Sequence, residues 1–219
     1  DDTRASALFN MGRAALRAGL FGTAVDTFNR LIQQFPGDFR AHQSLFLRGD
    51  AYLGVSNWEA AITDFQQYLA MRPGWIDSWV HERIGDAQLA LGQYDAALAS
   101  YDLATEANRS LVPQLALRER VAQVYLSGGN VDEAVSQYDA ILAVAQNSPY
   151  RADIEFRTAQ ALLDAERTDM GLARMRRVFT EYQAQAPALE AMNILLANGA
   201  QLDSYVMAKV YYFANEFQS

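Results

Sequence analysis

The sequence predicts an all-α protein, a solenoid or superhelix of stacked antiparallel helix hairpins. Two periodic rulers and one absence lead there. The five prolines, Pro36, Pro73, Pro113, Pro149 and Pro187, fall 37, 40, 36 and 38 residues apart; none interrupts an apolar helical pattern, and each follows a run of helix formers, where a proline is expected to end the helix. A second ruler keeps step: Ala24, Ala61, Ala97 and Ala134 are spaced 37, 36 and 37 apart, and an aromatic follows each one turn later (Phe28, Phe65, Tyr101, Tyr138). No segment alternates with the period of two that a half-buried strand requires.

The element boundaries follow from the same residues. Helices are expected near 3–18, 22–35, 39–54, 57–71, 76–91, 94–108, 112–127, 131–146, 150–166, 169–184, 188–197 and 203–217. Paired, they give five hairpins at about 3–36, 39–73, 76–111, 112–149 and 150–187. An incomplete C-terminal unit at 188–219 completes a single domain over 1–219. Gly19, Ser56, Gly92 and Gly129 sit where the first helix of each pair ends and the chain turns sharply. The bulky residue two places on (Phe21, Trp58, Tyr94, Val131) plugs the gap between helices, and the alanine lets them approach. Upstream, Gly12, Gly49, Gly85, Ala122 and Ala161 fall where the helices cross. The fifth unit is expected to be degraded, with Ala173 as its alanine and Arg177 in place of the aromatic. Asp77, Asp95, Asp132 and Asp169 stand at helix starts, where a carboxylate suits the dipole.

Composition narrows the function classes. Of 219 residues 51% are hydrophobic and 20% charged, which is neither a disordered tail nor a membrane protein. No run approaches the roughly 20 apolar residues of a spanning helix. With no Cys there is no disulfide, no cysteine-ligated zinc or iron–sulfur cluster, and no thiol nucleophile. Eighteen basic against 26 acidic residues give a net charge of −8, which repels nucleic acid and anionic lipid overall. The chain begins Asp1-Asp2 without Met and reads as a mature or trimmed form.

No residue set calls for chemistry. His42 and His81 are the only imidazoles, and His81-Glu82 lacks the second His that a zinc-binding helix needs one turn on. Glu82/Asp86 and Asp132-Glu133 read as solvated faces and helix starts rather than a converging acid pair. Arg174, Arg176 and Arg177 read as a solvated basic face. Trp58 reads as core; Trp75 and Trp79 share a helix face and read as packing, with ligand contact as the alternative. The expectation is therefore no catalytic, metal or cofactor-binding residues and no cofactor. In stacked hairpins the first helices line a groove that takes peptides or partner helices. By helical phase its residues are Phe9, Arg13, Phe46, Asp50, Trp79, Glu82, Arg83, Asp86, Glu119, Arg120 and Gln123. This mixture of both charges suits a polar or charged ligand, or a wall that docks another domain.

The unit Gly49-Asp-Ala-Tyr52-Leu-Gly54 … Trp58-Glu-Ala-Ala61-Ile-Thr-Asp-Phe65 … Pro73 resembles a tetratricopeptide repeat, and the unit around Gly85, Gly92, Tyr94, Ala97 and Tyr101 is similar. The resemblance covers residues 3 to about 184, with a period above the usual 34. It implies a non-catalytic scaffold that binds a protein or peptide partner, or a further domain of its own protein. Members of that family that clamp a peptide's terminal carboxylate use Lys, Arg and Asn on three successive first helices. The matching neighbourhood here holds Phe9, Arg13, Leu47, Asp50, Trp79 and Arg83, which departs from that pattern.

A second resemblance lies at the C-terminal end. Pro187-Ala-Leu-Glu-Ala, the link through Leu202-Asp203-Ser-Tyr205 and the run Tyr211-Tyr212-Phe213-Ala resemble the N-terminal helical region of bacterial lytic-transglycosylase-like proteins. That resemblance implies a substrate-positioning region in the cell envelope, ahead of a peptidoglycan-cleaving domain whose motifs this chain lacks. A cell-envelope assembly factor is the third reading. Phe217 would stand at a plug position with no covering helix after it, so weak homodimerisation through this C-terminal helix is expected.

Overall fold

A residue in the left-handed region closes the first helix of each of five hairpins: Gly19, Ser56, Gly92, Gly129 and Glu166, with φ of 72, 59, 71, 78 and 60°. The next backbone N–H reaches back to the carbonyl five residues earlier in all five turns (Leu20 to Ala15, Asn57 to Tyr52, Gln93 to Gln88, Asn130 to Tyr125, Arg167 to Leu162), each at 2.9 Å. This cap satisfies a carbonyl that the helix end leaves open and fixes the exit angle of the chain.

The computed structural model describes residues 2–216, and among them the secondary structure is entirely helical. The helices are α1 (Asp2–Arg17), α2 (Phe21–Gln34), α3 (Phe39–Gly54), α4 (Trp58–Met71), α5 (Asp77–Ala90), α6 (Tyr94–Glu106), α7 (Leu111–Ser127), α8 (Val131–Val144), α9 (Ser148–Asp164), α10 (Thr168–Glu181), α11 (Pro187–Ala197) and α12 (Ser204–Glu216). The fold is the expected all-α arrangement of antiparallel hairpins. The chain groups into two compact units, Asp1–Ser110 and Leu111–Ser219. The first holds the hairpins α1/α2, α3/α4 and α5/α6; the second holds α7/α8, α9/α10 and the looser pair α11/α12. Phe217 lies outside the described residues.

Small residues let the helices of each hairpin touch. A Cβ built on Gly49 would lie 2.5 Å from Cε1 of Phe65, and one on Gly85 2.7 Å from Cε1 of Tyr101; Gly12 faces Phe28 in the same way. The three rings are at most 1% exposed, so they cannot retreat. In the second unit Ala122 and Tyr138 hold the equivalent places, both buried. The first plug residue acts one hairpin further on: the Phe21 ring lies against Gly54 of α3, leaving no room for a side chain there. Trp58, expected in the core, is only half-buried.

The fifth hairpin corrects the sequence alignment by two residues. The left-handed residue is Glu166, so the fourth position of its second helix is Gly171 and not Ala173. Gly171 is buried with Ala159 and Leu163 against it, whereas Ala173 is exposed. The aromatic position is taken by Met175, 0% exposed, and the crossing residue is Ala159 rather than Ala161. Phe156, Met175, Phe179, Met192 and Val210 belong to one core that spans α9 to α12. The helices are thus not degraded; methionine fills an irregular site where a ring stood before.

Three further expectations change. Pro113, Pro149 and Pro187 open α7, α9 and α11 rather than ending the helices before them; a missing N–H is harmless in a first turn. Asp77 does not cap α5: both carboxylate oxygens accept from the Gly74 N–H, at 2.8 and 2.9 Å. The side-chain caps are Asp38, Asn57 and Asn147, accepting from the N–H groups of Arg40, Ala60 and Tyr150, and Asp203, accepting from those of Tyr205 and Val206. Arg40 also bonds the Asp38 side chain and holds it down at about 2. The expected basic face of α10 is an ion network: Arg174 and Arg177 approach the buried Glu155 at 3.0 and 2.9 Å, and Arg174 also pairs with Asp139. A buried carboxylate is tolerated only with such partners.

Two substitutions test the seam and the cap. Gly49→Ala should lower unfolding free energy by about 1 kcal/mol or more, because overpacking against Phe65 outweighs the gain in helix propensity. Glu166→Gly should raise it by up to about 1 kcal/mol by relieving a left-handed non-glycine residue. Urea denaturation of each variant beside the parent measures both signs.

Candidate functional site

The residues expected on the first-helix face separate into distinct places. In the first unit, Phe9 and Arg13 of α1 stack, with the guanidinium carbon 5.5 Å from the ring centre. Phe46 of α3 lies 5.6 Å from the Phe65 ring and 5.7 Å from the Tyr68 ring. Together with Gln43, Leu47, Tyr68, Arg72, Trp75 and Ile76 they line an open cavity of about 370 Å³.

The sequence reading left out α4 and the turn after it. Tyr68 forms a buried side of the cavity, and burial pushes its hydroxyl up from its ordinary value. Arg72 closes α4, and its guanidinium lies 5.3 Å from the Trp75 ring centre. Trp75 is 75% exposed, so the packing role expected for it is replaced by a solvent-facing wall. The turn explains its position. Gly74 has φ of +86°, a conformation that glycine adopts without strain, and its N–H is held by Asp77. The signal was present in Arg72-Pro-Gly-Trp75, but a turn motif does not say which way its tryptophan points.

The other groove residues of this unit are bound to one another. Asp50 and Arg83 pair at 3.1 Å, Arg83 and Asp86 at 3.7 Å, and the Tyr101 hydroxyl donates to Asp86 at 2.7 Å. Burial raises the Asp50 carboxyl from its usual value, and Arg83 opposes that rise. Trp79 covers Arg109, whose guanidinium carbon is 3.6 Å from the ring centre and whose side chain is 2% exposed. Arg109 in turn pairs with Glu82. His81 is half-buried, and loss of solvent pulls its imidazole below the usual value. Glu82 and Asp86 are therefore ion-pair partners, not a converging acid pair.

In the second unit Glu119, Arg120 and Gln123 lie on α7. The Tyr150 hydroxyl donates to Glu119 at 2.6 Å, and Arg157 pairs with it at 3.2 Å. Burial and this bond push the Tyr150 hydroxyl up. Arg120 is half-buried and Gln123 exposed. Glu119 edges a cavity of about 430 Å³ walled by Leu111, Val112, Leu115, Val144 and Tyr150. This cavity is larger and mostly apolar, with Gln146 and Asn147 as neutral polar groups, and its one carboxylate is already engaged. The first unit's cavity has the richer chemistry. Among the described residues no three His, Asp or Glu side chains converge as metal ligands, and no helix is long and apolar enough to cross a membrane.

Gly74→Ala should cost about 1 kcal/mol through its left-handed backbone and should blue-shift the Trp75 emission as the ring is displaced. Fluorescence spectra and thermal melts of the variant beside the parent check both.

Comparison with known proteins agrees with the architecture. Tetratricopeptide repeat family models match residues 6–38 and 82–152. A tetratricopeptide repeat and J domain-containing co-chaperone of Fusarium oxysporum is 29% identical over 109 residues, which is 50% of this chain and 20% of that protein. The match thus spans about a fifth of the length of that relative. Among solved structures, a MamA protein superposes with a TM-score of 0.64 at 15% identity, covering 93% of this chain and 100% of that one. A Podospora anserina putative kinesin light chain with nearly identical TPR-like repeats gives 0.61 at 16% identity, over 81% and 94% of the two chains. A thermophilic TPR protein of Thermus thermophilus gives 0.51 at 25% identity, over 73% and 81%.

Proposed function

The chain is a tetratricopeptide-repeat protein, and we propose that it is a protein-interaction scaffold that binds a partner segment on the first-helix face, without a reaction step of its own. The observation that supports this reading most is the cavity lined by Phe9, Arg13, Gln43, Phe46, Tyr68, Arg72 and Trp75. Its aromatic and guanidinium groups are only partly used in packing, and tryptophan, tyrosine and arginine are the residue types most enriched where partners bind tightly. Elsewhere on the face the charged residues are neutralised by their neighbours, as in the chain Asp50–Arg83–Asp86. The similarity to a protein named as a co-chaperone is consistent with work on other proteins.

A photoreactive benzoylphenylalanine tests the assignment when placed at Gln43, on the cavity wall, and separately at Arg30, an exposed position of α2. In an extract of the source organism the probe at residue 43 should crosslink a discrete protein that the probe at residue 30 does not. That protein, purified, should bind the unmodified chain saturably and lose roughly tenfold in affinity on Phe46→Ala. Equal labelling from both positions, or affinity unchanged by Phe46→Ala, would overturn the assignment.

A further inference from the structure

Arg13 of α1 and Arg72 at the end of α4 stand apart from the paired charged residues of the first-helix face. Each is held by one ring, Arg13 on Phe9 and Arg72 on Trp75, through contacts of 5.5 and 5.3 Å. Neither has a carboxylate partner among the described residues. Stacking uses the face of a guanidinium and leaves its in-plane N–H groups free, and those groups form the fork that receives a carboxylate. Two such forks open onto one cavity in a chain whose net charge is −8.

The carboxylates on this side of the unit are already engaged. Asp77 accepts twice from Gly74, and Asp50 pairs with Arg83. The Asp77 charge, like that of Arg72, acts on the Tyr68 hydroxyl, but no carboxylate among the described residues pairs directly with either arginine, which leaves both guanidinium forks for a ligand. Between them the floor is mostly apolar, built from Phe46, Leu47, Tyr68 and Ile76, with Gln43 and the Tyr68 hydroxyl as neutral polar groups. A floor of this kind takes a bulky apolar side chain, and rims of this kind take the acids beside it. A nucleic acid would need a run of basic groups along its backbone, whereas the cavity offers two.

We infer that this cavity recognises an internal acidic segment of a partner protein, in which a bulky apolar side chain enters the floor while flanking carboxylates pair with Arg13 and Arg72. The inference rests on the scaffold reading and names the chemistry of the partner for that same cavity. The ligand's carboxylates are side chains, so the recognition does not need the end of a polypeptide.

Three pentapeptides, blocked by acetyl and amide groups, test it: one alternating glutamate with leucine, one lysine with leucine, and one glutamate with alanine. The readout is the indole N–H resonance of Trp75 in the ¹⁵N-labelled chain, assigned with Trp75→Phe. The glutamate–leucine peptide should shift that resonance saturably and bind at least tenfold more tightly than either of the others. Raising salt from 50 to 500 mM should weaken it several-fold. In Arg13→Glu/Arg72→Glu the preference should reverse toward the lysine–leucine peptide. The milder Arg13→Gln/Arg72→Gln should lose at least fivefold for the glutamate–leucine peptide with an unchanged circular dichroism spectrum. Absence of saturable binding, equal binding of the acidic and basic peptides, or unchanged affinity in the double glutamine variant would overturn the inference. The two readings fail separately. A crosslinked partner with no preference for the acidic peptide leaves the scaffold standing and removes the acidic ligand. Acidic-peptide binding without any crosslinked partner does the reverse.

Discussion

The structure depends on one close approach, repeated. Within each hairpin a glycine or alanine of the first helix meets a large side chain 16 residues later: Gly12 with Phe28, Gly49 with Phe65, Gly85 with Tyr101, and in the same register Ala122 with Tyr138 and Ala159 with Met175. The small residue removes the spacer that would hold the helices apart, and the large one fills the room it leaves. The left-handed turn between the helices brings the two into register. Burial elsewhere follows, since Leu31, Leu45, Ile84, Ile141 and Leu162 are covered only because the seams are closed.

Charge is distributed by the same logic. Where an ionised group is taken from solvent inside a unit, a partner is provided. Arg48 forks onto Asp64 at 2.6 and 2.7 Å while also donating to Asn29, tying α2, α3 and α4 together. Glu155 does the equivalent for α9 and α10 with two arginines. Removing one member of such a set would strand a buried charge, which costs about 3–5 kcal/mol, far more than the pair itself contributes. Arg13 and Arg72 belong to a different class. They lie on rings at a solvent-facing cavity and form no ion pair with any described carboxylate.

Much of this was legible in the sequence, and the reasons for the failures are physical. Helix periodicity and turn spacing are local properties, so the hairpins could be read from Gly19, Gly92 and Gly129 and from the alanines five residues after them. The fifth hairpin misled because its signals are carried by substitutes: Glu166 stands in a glycine's conformation, Gly171 serves for alanine and Met175 for the ring. Residue type had to yield to geometry before the register appeared. At the cavity, Phe9, Arg13 and Phe46 follow from helical phase, but Arg72 and Trp75 do not. Their placement depends on a turn pinned by Asp77, a contact no pattern of apolar residues encodes. Nor can phase separate Arg83, which is neutralised, from Arg13, which is not.

The constant separation of 16 residues has a consequence for how such a chain tolerates changes in length. From one large seam residue to the next small one the count is 21, 20, 21 and 21, so all the variation falls between hairpins. Each residue gained or lost inside a helix turns every later side chain by about 100° about the axis, which would swing a seam residue out to solvent. The same change in a connecting link is absorbed by the link. Genetic insertions and deletions in this lineage should therefore accumulate around the stretches near residues 35–38, 72–76, 107–110 and 145–147, leaving the hairpins themselves metrically frozen.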